Sequence, residues 1–215
     1  MRLASPLVLL PALFALFVPA APVAASSPNI VIGEFRIRGP NGASDEFIEI
    51  YNLSGTTVNL GSWKVNGSNS SGSISTRATI PANTFLNPGC HYLLANDSPS
   101  GYSGGVAPDQ TYTTGITDDG GIALLNPVSV VVDQVGMSVG STYKEGTVLT
   151  PLTTDTNRSY ERLPGGIGGN GQDLDDNASD FFVASPSNPQ NRASICVAAT
   201  PATSETWGRV KILYR

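Results

Sequence analysis

The chain predicts an all-β protein, an antiparallel sandwich with long loop insertions. Three observations predict it. Apolar and polar residues alternate over short runs, and turn-forming Gly, Pro, Asn and Ser separate those runs at close spacing. No helical period appears beyond the apolar N-terminus, which excludes layered helix–sheet classes.

The first element is a leader. Arg2 supplies a short basic region, residues 3–18 are apolar apart from Ser5, and Val23-Ala24-Ala25 offers small residues at a cleavage position. This reads as a secretory peptide, residues 1–25, and Pro6 and Pro11 interrupt a run already short for a membrane span. Two strands follow across residues 30–53, around a Gly39-Pro40-Asn41-Gly42 turn. In the first, Val31, Phe35 and Ile37 point one way and Ile32, Glu34, Arg36 and Arg38 the other. In the second, Ile48 and Ile50 share a face opposite Phe47, Glu49 and Tyr51. Residues 58–65 make a third strand, whose Trp63 is expected between the sheets.

Residues 66–75 are a loop by composition. Residues 78–81 and 85–86 lead through Asn87-Pro88-Gly89 into a strand over 90–96. A second loop spans 97–114, and residues 121–126 and 128–135 pair as a hairpin around Asn126-Pro127. A short strand at 159–163 precedes a Gly-rich run, an acidic run at 173–176 and a closing segment over 177–183. The domain is expected over 28–193, with a tail at 194–215. In that tail, Trp207, Val210 and Tyr214 fall along one side of a short helix, which suits a docking tag, a membrane-surface contact or a frayed end.

Composition narrows function. The 215 residues carry 12 basic and 17 acidic groups, a net charge of −5, and charged residues make up only 13%. That balance argues against general phosphate-backbone affinity, which needs clustered Lys or Arg. Without its leader, a chain of this size buries roughly 70% of its unfolded surface and folds without staples. Cys90 and Cys196 are the two cysteines. In an oxidising compartment they invite a disulfide, and two free thiols are the alternative.

Each candidate for chemistry has a plainer reading. Gly101-Tyr102-Ser103-Gly104-Gly105 has the letters of a hydrolase nucleophile elbow, but no helix follows it and the sole histidine, His91, precedes it. Cys90 and His91 are neighbours on a strand and point to opposite faces. A His partly exposed beside a buried Cys is expected. A single His also excludes schemes built on several imidazoles. Residues 166–171 spell GxGxxG, but an acidic loop follows instead of a helix. That loop is the one candidate metal site: Asp173, Asp175, Asp176 and Asp180, with Asn177, offer hard oxygens to Ca²⁺ in a spacing unlike an EF-hand. Glu34 and Glu49, near Asp45 and Glu46, are expected to face Arg36 or Arg38 on a wet surface, not to form a glycosidase pair.

The opening strands, the Trp63 strand, and the closing Asn177, Asp180-Phe181 and Ser185-Pro186-Ser187-Asn188-Pro189 together resemble the lamin tail domain family, in its secreted bacterial type. The resemblance covers roughly residues 29–191, and its middle is generic. It implies an immunoglobulin-like β-sandwich that binds or spaces partners and is not an enzyme. No cofactor is expected beyond the Ca²⁺ candidate. The expected partner is an extracellular protein or cell-surface polymer, reached through loops 66–75, 97–114 and 144–156 or through sheet edges. Two other classes are a small secreted hydrolase, which needs His91 and a carboxylate in one pocket, and a carbohydrate-binding module, which needs Tyr102 and Tyr112 exposed as a platform.

Overall fold

The computed structural model describes residues 29–197, so the expected leader, residues 1–25, and the 206–215 segment lie outside the described residues. The described residues form twelve strands: β1 (Ile30–Arg36), β2 (Phe47–Asn52), β3 (Val58–Asn59), β4 (Lys64–Ser68), β5 (Ile74–Thr79), β6 (Phe85–Leu86), β7 (His91–Asn96), β8 (Gln110–Tyr112), β9 (Gly121–Leu125), β10 (Val131–Gly136), β11 (Ser159–Arg162) and β12 (Phe181–Ala184). One helical turn, α1 (Asn177–Asp180), leads into β12. The larger sheet runs β12-β11-β1-β2-β7-β8, antiparallel except for the parallel β7–β8 pair. The second sheet runs β10-β9-β4-β5, and β3 pairs with β6. The result is an immunoglobulin-like β-sandwich.

The core lies between the two sheets. Ile30, Ile32, Phe35, Ile48, Ile50 and Leu94 of the large sheet meet Val65, Ile122, Leu124 and Val135 of the small one. Trp63 packs against this core only partly buried, at its margin. The face assignment along β1 needs one correction. A register shift between Ile32 and Glu34 marks a β-bulge at Gly33, so Ile32 joins Phe35 and Ile37 in the core. A strict period of two put Ile32 on the opposite face, because a bulge adds one residue and inverts the alternation beyond it.

The expected loop at 66–75 is shorter in the fold. β4 continues to Ser68 and β5 begins at Ile74, leaving a tight turn in which Asn69 Oδ1 accepts from the amides of Ser71 and Ser73. Small, hydroxylated residues made a hairpin look like a loop.

Both faces of the large sheet are buried. The face away from the core, bearing Glu34, Arg36, Phe47, Glu49, Tyr51, His91 and Leu93, is covered by residues 97–109 and by a strap of residues 185–197. Cys90, at the start of β7, is joined to Cys196 in the strap by a disulfide.

Candidate functional site

The covered face is the first place to look for chemistry, because it gathers most of the titratable residues of the opening motif. Glu34 and Glu49 are directly opposed across β1 and β2, and Glu161 of β11 is opposed to Glu34. They were expected on a wet surface facing Arg36 or Arg38. Instead Glu34 and Glu49 are each 1% exposed, and neither pairs with an arginine. Glu34 Oε1 accepts from Ser159 Oγ at 2.5 Å and from the Asn188 amide at 2.9 Å. Glu49 accepts from the Gln190 amide at 2.5 Å and shares a 2.6 Å hydrogen bond with His91 Nδ1. Burial, with Glu49 alongside, pushes the Glu34 carboxyl up to about 8. Burial also raises Glu49, against the opposing pull of His91.

His91 is buried as well, correcting the expected half-exposed imidazole. The cause is tertiary: strap and ring of Tyr51 lie over it, and no local pattern of β7 encodes that cover. Two of the strap's backbone amides, those of Asn188 and Gln190, are spent on these carboxylates, which fastens the strap to the sheet.

Arg36 and Arg162 are the largest fully buried side chains among the described residues. The Arg36 guanidinium pairs with Asp45, its Nε donates to the Asp45 carbonyl, and Nη1 reaches Asn157 Oδ1 at 3.1 Å. Ser103 Oγ donates to Asp45 at 2.6 Å. So Ser103 is held by an acid already committed to Arg36, whereas the imidazole is bonded to Glu49. A 350 Å³ cavity opens above Arg36 between Ser103, Asn157 and Pro189, but neither His91 nor a free carboxylate lines it. The sugar platform is also absent: Tyr112 is buried, and Tyr102 packs edge-on against Phe47 at 5.8 Å. Arg38 stays at the surface, bonded to Asp118 and Asp155 at 2.7 Å each.

The acidic run separates by role. Asp176 caps α1, accepting from the Ser179 amide at 3.0 Å. Asp180 is buried and accepts from the Leu174 amide. Asp173 lies instead beside two residues that sequence reasoning missed, Asp133 of β10 and Glu145. Fully buried Arg162 stands at this cluster: its Nη2 is 2.8 Å from Asp133, and its Nη1 is 3.7 Å from Asp173 and from Asp180. Burial raises both Asp133 and Glu145, with Arg162 opposing the shift at each. Asp133, Glu145 and Arg162 stand alone in their segments, so no spacing announces them.

The third feature is a groove. Among the described residues β12 pairs only with β11 and ends the large sheet. Beside it lies a 560 Å³ groove bordered by Leu149, Pro151, Tyr160, Phe181, Phe182 and Val183. Phe182 is 37% and Val183 46% exposed, which is unusual on a terminal strand. The Leu149 and Pro151 wall belongs to the 144–156 insertion, one of the three expected contact surfaces.

No curated protein sequence matches this chain. A family model does: the lamin tail domain model matches residues 23–138, more than half of the 215 residues, from before β1 into the end of the β9–β10 hairpin. The matched stretch holds β1, β2, β7 and β8 of the large sheet and the whole second sheet, and β11, α1 and β12 complete the same sandwich beyond it. Since that match extends over more than half of the chain, and the strands it covers build the two-sheet core, this chain belongs to the lamin tail domain family.

Proposed function

We propose that this protein is an exported, non-catalytic recognition module that takes an extended partner segment along β12. The observation that carries the reading is the terminal strand itself, with Phe182 and Val183 exposed beside a groove of mixed apolar and hydroxyl-bearing walls. A strand at a sheet edge offers backbone groups for pairing, and adjacent apolar pockets select alternate side chains of the added segment. The family supports the same reading, since lamin tail domains are immunoglobulin-like modules without an enzymatic role. The leader-like N-terminus supports export, and so does a disulfide, which persists in oxidising compartments. A partner of the bacterial cell surface or medium fits that location.

The test is selection of binding peptides from a random display library, followed by hydrogen exchange of the complex. Selected peptides should alternate apolar and polar residues and protect the amides of β12. Val183→Lys should abolish their binding while leaving the melting temperature within a few degrees of wild type. Peptides that bind Val183→Lys as well as wild type, or that protect another edge, would overturn the assignment.

A further inference from the structure

We infer that an apolar groove beside the strap is a docking site for the chain's own C-terminal segment, residues 206–215, with Trp207 as its anchor. The groove has a volume of 490 Å³ and is walled by Val106, Ile167, Pro189, Ile195 and Val197. None of these residues borders the groove along β12, so the two surfaces are separate. Ile167 is 95% and Ile195 84% exposed, the two highest values among the exposed large apolar residues described. Single exposed aliphatics are ordinary. Two brought to one apolar groove, from the Gly-rich turn and from the strap, mark a contact surface.

The occupant follows from where the described chain leads. Val197 is both the last described residue and a wall of the groove. Its position is fixed. Cys196 is bonded to Cys90, the Val197 amide donates to the Gly89 carbonyl at 2.8 Å, and the Val197 carbonyl accepts from the Tyr51 hydroxyl at 2.7 Å. The Gly-rich turn that carries Ile167 packs on the same anchor. Gly169 has φ +74, and a Cβ there would stand 2.7 Å from the Tyr51 hydroxyl, so glycine allows the close approach. Trp207 lies ten positions beyond Val197. Ten residues span at most about 33–36 Å, which lets the segment reach any part of a groove that begins at Val197.

Composition and charge match the segment to the groove. Residues 206–215 hold Trp207, Val210, Ile212, Leu213 and Tyr214, together with Arg209, Lys211 and Arg215 and no acidic residue. Residues 29–197 carry 16 acidic and 8 basic groups, a net charge of −8. A basic, apolar segment is therefore drawn toward this domain. An aromatic side chain of this kind buries about 150–250 Å², and a groove of 490 Å³ accommodates it. The tether selects the segment of the same chain over that of a second copy. A short connection holds the segment at an effective concentration in the millimolar range, whereas two domains of this net charge repel each other. Seated in the groove, the segment shields Ile167 and Ile195 from water.

The experiment reads Trp207 fluorescence in the full chain carrying Trp63→Phe, which leaves Trp207 as the one tryptophan. Its acrylamide quenching should be several-fold weaker than in the urea-unfolded chain. The shielding should be the same from about 1 µM to about 100 µM protein, both far below a millimolar effective concentration. Ile167→Lys and Ile195→Lys should each return the quenching toward the unfolded value. Both side chains are exposed, so the melting temperature should stay within a few degrees of the parent. Subtracting the signal of Trp207→Phe gives the same reading with Trp63 in place. An indole as accessible as in the unfolded chain overturns the inference, as does shielding that both lysine variants leave unchanged. Shielding that appears only as the concentration rises also overturns it, because it assigns the segment to a second copy.

Discussion

Reducing the Cys90–Cys196 disulfide should destabilise the protein and release the strap from the covered face. The bond closes a loop of 106 residues. In the chain-entropy model that loop contributes about 4.8 kcal/mol at 25 °C, and native proteins deliver about 2–5 kcal/mol. With a urea m-value of about 2 kcal/mol/M, the midpoint should fall by about 1–2.5 M. Reduction is a better perturbation than Cys90→Ser, because Cys90 is buried in the core and a serine there would add the cost of an unpaired hydroxyl. Cys196 is exposed, so a reductant reaches it in the folded state. Hydrogen exchange should show the Asn188, Gln190 and Val197 amides, which donate to Glu34, Glu49 and the Gly89 carbonyl, losing protection first. A reduced protein whose midpoint lies within about 0.3 M of the oxidised one, with the strap still protected, would refute the reasoning.

Two further predictions concern the buried charges. Arg162→Met should cost about 3–5 kcal/mol in chemical unfolding, since it strands fully buried Asp133, and Arg162→Lys should recover little because the fork that also reaches the Ile32 and Gln172 carbonyls is lost. A loss below about 1 kcal/mol would show that the pair is not structural. Glu34 titrates near 8 in the folded protein against an ordinary 4.5, so the folded state holds its proton more tightly. The stabilising contribution of the protonated form is complete below 4.5 and is lost as pH rises to about 8. Unfolding curves should therefore show Glu34→Gln gaining on wild type steadily across that window and running parallel above it; a gain toward acid would contradict the assignment.

Much of the fold was legible locally. The alternation in residues 47–52 placed Ile48 and Ile50 in the core and Phe47, Glu49 and Tyr51 opposite, and the hairpin around Asn126-Pro127 formed where the β-branched run and turn residues put it. The candidate site was less legible. Asp173 was visible within its acidic run, but Asp133 and Glu145 sit 40 and 28 positions away, each alone among unrelated neighbours. The bulge at Gly33 was also hidden, since a glycine within a strand is compatible with both a regular and an inserted position.

Local pattern by itself determined that this chain makes strands and which side of most strands turns inward, because burial with a period of two is a property of neighbours along the backbone. Only the tertiary structure decided what happens on the other side. The same alternation serves a solvated face and a covered one, and the difference is made by residues 185–197 returning from more than a hundred positions away. That return turned Glu34, Glu49 and His91 from expected surface groups into buried ones, and long-range packing of three segments gathered the carboxylates around Arg162.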